Sequence, residues 1–319
     1  MPIPAPSHPI TGDLAADALA LLVEGEAAGV PGALITLTAA DGGPRGVGAH
    51  MAVLGDGRWR GHLSGGCVEQ AMAAEALDTL AAGESRWLRL GEGSPLIDIR
   101  LPCGSGLTLW IGVAPAPGWA ASVLHELAER RTVSARLCPD LVLDATPTPT
   151  GWRCEAFHRL YRPSLRLLIL GSGPEALATA ALAHATGLGV HLLATRPELT
   201  ERAMAAALSV EAVTSPACPP ERVDPGTAVL CLTHEAEWDV PFLASALATP
   251  AVFVGALGSP RTQALRLDAL AAMGVAAGDR ARIRSPVGLV PATRDSRSLA
   301  VSVLAELMAV AAEHGLTGA

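Results

Sequence analysis

An apolar run at 165–170, LRLLIL, leads directly into the glycine turn GSGP at 171–174. Such a run is typical of a strand whose two faces are both buried in a parallel sheet. A helical pattern follows at 175–186, and a second strand is predicted at 190–194. A strand, a glycine turn, a helix and another strand form a βαβ unit, and this unit needs a parallel sheet covered by helices.

The rest of the second half repeats the same alternation. Further buried strands are predicted at 227–233 and 251–255, and helices at 240–248, 262–273 and 296–313. Strands that alternate with helices favour a doubly wound arrangement. We therefore predict an α/β protein whose C-terminal part is a Rossmann-like doubly wound parallel sheet.

The first half has a different pattern, which predicts an α+β domain. Helices are predicted at 14–28, 68–82 and 120–131, and strands at 33–39, 50–54, 58–63, 85–90, 107–113 and 133–137. The segment 140–161 contains TPTPTG and is either a linker or the final hairpin of this domain. Because the composition changes after it, the predicted domains are 1–162 and 163–319.

A glycine loop with a cysteine, GHLSGGCVEQ, opens the predicted helix at 68–82. Gly65 and Gly66 permit positive φ, and a loop that enters a helix N-terminus can offer free amides to an anion. In that setting the pKa of Cys67 falls and its thiolate becomes reactive. Ser64, Gly65, Gly66 and Cys67 are therefore candidate ligand-binding residues. The alternative is a tight turn in which the cysteine only fills a small gap.

A second glycine loop, LPCGSG at 101–106, contains Cys103 and Gly104. Glycines at the end of an element allow a ligand to approach the backbone closely. Cys103 and Gly104 are candidates for the same site as Cys67, although the sequence supports a meeting of the two loops only weakly.

Composition excludes several classes of protein. The 23 basic residues are all arginine, so the chain has no lysine for Schiff-base chemistry or for a phosphate-binding P-loop. A net charge of −8 argues against a nucleic-acid surface. No apolar run reaches the length of a membrane span, and the N-terminus lacks the basic region of a signal peptide. The six cysteines lack CxxC spacing, which favours reduced thiols and a cytoplasmic protein.

The turn at 171–174 is a weak dinucleotide fingerprint. Ala176 stands where the third glycine of GxGxxG is expected, and Ala194 and Thr195 stand where an acidic residue would bind the ribose. Arg196 could accept a 2′-phosphate or could be a solvated loop charge. A phosphate cradle made by Gly171, Ser172 and Gly173 is thus more plausible than a dinucleotide site.

Two later polar loops also follow predicted strands. His234 ends one strand, and Ser259 and Arg261 follow another and open a helix. Ligands of doubly wound sheets bind at the carboxyl ends of the strands. Each residue alone could be structural, as a cap or a surface charge, but their convergence on one sheet edge favours a binding cleft.

At these residues the chain resembles the xanthine dehydrogenase accessory protein family, also called the XdhC/CoxI family. The matching segments, in family order, are GPRGVGAHMAVLGDG at 43–57, SGGCVE at 64–69, LPCGSGLTLWI at 101–111, LLILGSGPEA at 167–176, LCLTHEAEWD at 230–239, FVGALGSPRT at 253–262 and SPVGLV with LAVSVLAEL within 285–307. The chain departs from the family in having GSGP instead of GAGH and no acidic residue after the second strand.

The resemblance implies a chaperone that is not itself an enzyme, apart from a sulfur-relay role for the Cys67 thiol. It would bind molybdenum cofactor, as molybdopterin or its nucleotide form, assist its sulfuration and insert it into a molybdenum hydroxylase. The implied partners are that client enzyme and a cysteine desulfurase, and a homodimer is expected. The implied cofactor contacts are Ser64, Gly65, Gly66, Cys67, Cys103, Gly104, Gly171, Ser172, Gly173, His234, Ser259 and Arg261, with Cys67 and Cys103 near the molybdenum.

Two other functions stay open from the sequence. The first is an NAD(P)-dependent oxidoreductase that uses the turn at 171–174, although the missing ribose acid and the missing lysine speak against it. The second is a thiol sulfurtransferase acting through Cys67, which overlaps with the chaperone role.

Overall fold

The computed structural model describes residues 14–42, 45–66, 68–91, 106–113, 115–138, 140–291 and 293–316. These residues form two compact units that divide between Pro163 and Ser164. We call them unit 1 and unit 2.

The described elements of unit 1 are helices and two antiparallel sheets. In chain order they are α1 (Leu14–Ala27), β1 (Gly32–Asp41), β2 (His50–Leu54), β3 (Trp59–Gly61), α2 (Glu69–Ala82), β4 (Arg86–Leu90), β5 (Gly106–Val113), α3 (Trp119–Ala128), β6 (Val133–Cys138), β7 (Val142–Leu143), β8 (Gly151–Arg153) and β9 (Ala156–Tyr161). The sheet orders are β3-β2-β1-β5-β4 and β7-β6-β9-β8. The segment 140–161 is thus part of the fold and contains the β8–β9 hairpin.

Successive side chains of a strand point to opposite faces of its sheet, and both faces of the larger sheet of unit 1 are covered by helices. On β1, Ile35 packs with α2 on one face, whereas Leu34 packs with α1 and α3 on the other. Gly61 is required where β3 meets β2, because its φ is +93° and a β-carbon there would lie 2.3 Å from the carbonyl oxygen of His50. This close approach fixes where the chain enters the SGGC loop.

A buried polar chain lies between the two sheets of unit 1. His50 Nδ1 lies 3.1 Å from Thr36 Oγ1, and His50 Nε2 lies 2.8 Å from the hydroxyl of Tyr161. The guanidinium of Arg159 stands over the Tyr161 ring at 5.6 Å from its centroid. Both imidazole nitrogens therefore have partners, as buried polar atoms require.

Unit 2 is a parallel sheet with helices on both faces. Its elements are β10 (Arg166–Gly171), α4 (Pro174–Ala185), β11 (Gly189–Ala194), α5 (Pro197–Ala205), β12 (Val210–Ala212), a 3₁₀ turn (Pro220–Arg222), β13 (Thr227–Leu232), α6 (Ala236–Leu247), β14 (Phe253–Ala256), α7 (Pro260–Ala272), α8 (Ala277–Arg280), β15 (Ile283–Arg284) and α9 (Ser296–Glu313). The order is β12-β11-β10-β13-β14-β15, and every described pairing is parallel.

The predicted fold class is confirmed: unit 1 is α+β, and unit 2 is a Rossmann-like doubly wound sheet. The strand order reverses between β10 and β13, so the crevice at their carboxyl ends is the place where such folds bind ligands. Of the described helices, none has both the length and the hydropathy to span a membrane.

Candidate functional site

The SGGC loop of unit 1 is organised by Glu69, the first residue of α2. The Glu69 carboxylate turns back under the loop and accepts hydrogen bonds from the amides of Ser64 at 2.8 Å, Leu63 at 3.2 Å and Val68 at 3.2 Å. The Ser64 hydroxyl lies 3.0 and 3.1 Å from the two carboxylate oxygens. Glu69 therefore joins the residues before the loop to the residue after it.

The carboxylate of Glu69 is both buried and ionised. Only 1% of the residue is exposed. Burial alone raises the pKa of Glu69, but the hydrogen bonds from Ser64 and Val68 and from its own amide outweigh it, so the pKa lies below its usual value. His62 Nδ1 lies 3.6 Å from Glu69 Oε1, and Trp59 holds the imidazole edge-on.

The predicted residues of this loop lie at different depths. Ser64 is buried, and its hydroxyl accepts from the Gly66 amide at 3.3 Å besides contacting Glu69. Gly65 and Gly66 are exposed, and Gly66 has a φ of +105° with open space where a β-carbon would point. Of the two glycines only Gly66 has positive φ. Cys67 lies outside the described residues, as do Cys103 and Gly104 of the second loop.

The prediction of free amides at the start of α2 needs correction. Three of the nearby amides donate to Glu69, so the anion in this cradle is a carboxylate of the chain itself. The start of a helix favours negative charge, and Glu69 supplies it. A short-range signal was present in the sequence, because a glutamate that follows a serine loop can reach back to cap it.

In unit 2 the turn after β10 stands at the reversal of strand order. A β-carbon on Gly171 would lie 2.1 Å from that of Ala176, so this glycine allows α4 to pack closely on the strand. Ser172 donates to Thr233 Oγ1 at 3.4 Å and links the ends of β10 and β13. Gly173 is extended, with φ −145°, and caps α4 without a special conformation.

Two carboxylates, those of Glu175 and Glu235, lie near this turn. Arg196, the residue considered for a 2′-phosphate, forms an ion pair with Glu235, which lies beyond the end of β13. The carboxylate of Glu175 lies beside the turn, with Oε2 3.1 Å from the position of a β-carbon on Gly173. A pyrophosphate at the turn would meet these negative charges, and Arg196 would have to leave Glu235 to bind it.

We expect no measurable NAD binding in the micromolar range and at most weak NADP binding. Ala194 and Thr195 offer no carboxylate to the ribose, and Glu175 disfavours the pyrophosphate. Titration calorimetry with both dinucleotides tests this, and Glu235→Gln is the informative variant. If loss of the Glu235 charge leaves NADP binding weak, the Glu175 carboxylate beside the turn accounts for the result. Low-micromolar NAD binding to the parent would contradict the prediction.

The remaining predicted residues of unit 2 lie at the surface. His234 is exposed after β13, and Arg261 is exposed in the first turn of α7. Ser259 is the N-cap of α7: its hydroxyl oxygen accepts from the Thr262 amide at 3.1 Å. Ser259 thus has a structural role, while His234 and Arg261 remain available to a ligand of unit 2.

A buried ion pair behind this edge was not recognised in the sequence as a pair. Arg266 of α7 and Asp239 of α6 are 3% and 5% exposed. Arg266 Nε lies 2.9 Å from both Asp239 oxygens, and other guanidinium nitrogens donate to the Leu257 carbonyl at 2.6 Å and to Ser285 Oγ at 3.0 Å. Arg266 therefore connects the loops that follow β14 and β15 to α6.

The described cysteines do not form a reactive set. Cys138, Cys218 and Cys231 are buried, and burial raises the pKa of each thiol, to about 12 for Cys218. Cys154 is exposed in the β8–β9 turn. Within the described ranges, no three His, Cys, Asp or Glu residues are placed to hold a metal ion. The predicted molybdenum contacts, Cys67 and Cys103, are outside those ranges.

Comparisons with known proteins agree with both units. A family model described as the XdhC Rossmann domain matches residues 167–307, and a model of the XdhC and CoxI family matches residues 25–91. An Escherichia coli (strain K12) protein named molybdenum cofactor insertion chaperone PaoD is 40% identical over 296 residues, which cover 92% of this chain and 87% of that protein. A Bacillus halodurans crystal structure titled as a xanthine dehydrogenase aligns with a TM-score of 0.72 at 21% identity, covering 93% of this chain and 96% of that one, which shows a shared fold.

Proposed function

Because this chain belongs to the XdhC and CoxI family, we propose that it is a chaperone that binds molybdenum cofactor and inserts it into a molybdenum hydroxylase. The observation that supports this most directly is the 40% identity, over 92% of the chain, to a protein named as an insertion chaperone for this cofactor. The cofactor is the cargo in this proposal. Assistance with sulfuration, a cysteine desulfurase as a second partner and a homodimer are further parts of it.

The residues of the SGGC loop suit one group of the cargo better than another. Molybdopterin carries a phosphate and, through its dithiolene, a metal–sulfur centre. The amides of Leu63, Ser64 and Val68 are occupied by Glu69, so they are not free for the phosphate. A cysteine thiolate is a ligand type that soft, sulfur-rich centres prefer. We assign Cys67 to the metal–sulfur end, as ligand or sulfur relay, with the exposed Gly65 and Gly66 allowing close approach.

Within unit 1, Cys103 and Gly104 would assist Cys67. Within unit 2, the exposed His234 and Arg261 are the proposed contacts for a phosphate group. An oxidoreductase is not proposed, because the carboxylates around the turn of unit 2 disfavour a dinucleotide pyrophosphate there.

The test of the proposed function is Cys67→Ala. We expect the variant to fold like the parent but to retain roughly tenfold less pterin-bound molybdenum, the scale of loss typical when a metal site is disturbed. Protein from a molybdenum-replete host is assayed for molybdenum and pterin and for activation of a cofactor-free client hydroxylase. Cys103→Ala should show an intermediate or equal loss.

The control for this test is Cys154→Ala, since Cys154 is exposed but lies in a hairpin turn away from glycine loops. It should behave like the parent. Cofactor retention and client activation at the parental level in Cys67→Ala would show that the SGGC loop is not the working site.

A further inference from the structure

Glu69 is a buried ionised group that the proposed function does not use. The chain keeps a negative charge there at 1% exposure, and the basic side chain recorded beside it is His62, whose Nδ1 lies 3.6 Å from Glu69 Oε1. A buried carboxylate is costly unless hydrogen bonds replace its water. Here the amides of Leu63, Ser64 and Val68 and the Ser64 hydroxyl replace it.

The donors come from both sides of the loop. Leu63 and Ser64 precede the exposed Gly65 and Gly66, and Val68 follows Cys67 in the chain. One side chain therefore closes the loop across its base. Gly66 adds a second tie, since its amide donates to the same Ser64 hydroxyl that contacts Glu69.

Only an ionised carboxylate of this length satisfies all of these donors. Glutamine would place an amino group, itself a donor, against backbone N–H groups. Aspartate is one methylene shorter and would not reach from the first residue of α2 to the Ser64 amide. The charge also lies at the start of a helix, where negative charge is stabilised.

We propose that Glu69 is a positioning residue of the SGGC loop: its carboxylate fixes the base of the loop and keeps external anions, including phosphates, from the amino end of α2. This deepens the proposed function, on which it rests for the identity of the cargo. It implies that the loop takes the metal–sulfur end of the cofactor, while the phosphate is bound elsewhere.

The experiment compares Glu69→Ala with the parent in the full chain. Removing the carboxylate frees the amides of Leu63, Ser64 and Val68 that it held. We expect the Cys67 thiol to be alkylated several-fold faster, because the loop loses the hydrogen bonds that join its two sides. Added formate, a free carboxylate, should enter the vacated cradle and restore the slow parental rate.

The matched control is Asp78→Ala, which removes an exposed carboxylate from the same helix. Its alkylation rate should equal that of the parent with or without formate. If Glu69 served only packing, formate would not restore the slow alkylation rate in Glu69→Ala, and that result would overturn the proposal. An alkylation rate in Glu69→Ala equal to that of the parent would overturn it too.

If Glu69→Ala fails to fold, amide hydrogen exchange in the parent decides the question. The Ser64 and Val68 amides should be strongly protected although they flank an exposed loop, and rapid exchange at both would contradict the proposed hydrogen bonds. These measurements need no cofactor. A parent protein that binds no molybdenum cofactor would therefore refute the proposed function and leave the test of Glu69 intact.

Discussion

Replacing Arg266 by methionine is expected to lower the free energy of unfolding of unit 2 by about 3–5 kcal/mol, the usual cost of breaking a buried ion pair from one side. Methionine fills similar space but leaves the Asp239 carboxylate buried without its cation. It also leaves the Leu257 carbonyl, which accepts at 2.6 Å, without this donor. The loss should loosen the loops after β14 and β15 together, because Arg266 connects both to α6.

The double variant Arg266→Met with Asp239→Leu should be more stable than Arg266→Met alone. Removing both charges ends the burial of an unpaired carboxylate, although the Leu257 carbonyl and Ser285 stay without their donor. Hydrogen exchange of the β13 and β14 amides reports unit 2 separately from unit 1. Arg261→Met, at an exposed position of the same helix, is the control and should change little. A single variant within about 1 kcal/mol of the parent would contradict the assigned role.

The second large effect is a loss of unit 1 stability in acid that depends on His50. Burial, assisted by the charge of Arg159, lowers the pKa of His50 to about 3. An unfolded histidine has a pKa near 6.5, so between these values the unfolded chain binds the proton and the folded chain does not. Neutral His50 therefore makes its full contribution to the free energy of unfolding of unit 1 above about pH 6.5. This contribution is lost as the pH falls towards 3. Over the whole window the loss is about 5 kcal/mol.

The measurement is the denaturation midpoint as a function of pH, followed by tryptophan fluorescence. Unit 1 contains Trp59, Trp87, Trp110, Trp119 and Trp152, whereas unit 2 contains Trp238, so the signal reports mainly unit 1.

His50→Gln provides the comparison, since glutamine can still hydrogen-bond but does not titrate. Its stability should depend less steeply on pH between 4 and 6 than that of the parent, by up to about 1.4 kcal/mol per pH unit. His125→Gln, at an exposed histidine on α3, should keep the parental slope. Equal slopes in parent and His50→Gln would show that His50 does not hold its neutral form in the folded protein.

The sequence determined the features that depend on local pattern. The run before the turn at 171–174 predicted β10 and α4. A strand buried on both faces is apolar at nearly every position, as β10 is after Arg166, and a glycine turn ends it. Helix α9 spans 296–313 as predicted, since its cap, Asp295, and its apolar positions lie close together in sequence. The strand β12 and the helix α5 were not predicted, because both are short and their burial depends on neighbouring elements.

The ends of helix α6 show a similar limit. A helix was predicted at 240–248, whereas α6 begins at Ala236 and includes Pro241. Proline lacks the N–H of the helical ladder and usually marks a helix start. Trp238 and Val240 pack against the apolar cluster on this face of the sheet, and Asp239 pairs with the buried Arg266, so tertiary contacts stabilise the extra turn before the proline.

Tertiary structure decided which charges are free to act. The sequence identified the SGGC loop and the turn at 171–174 as candidate anion cradles, because glycine and helix starts are local signals. It could not show that Glu69 fills the first, or that Arg196 pairs with Glu235 across 39 positions near the second. Asp239 and Arg266 are 27 positions apart, and His50 and Tyr161 are 111 apart. Such pairs depend on strand order and register, which place distant residues side by side, and no local pattern contains that information.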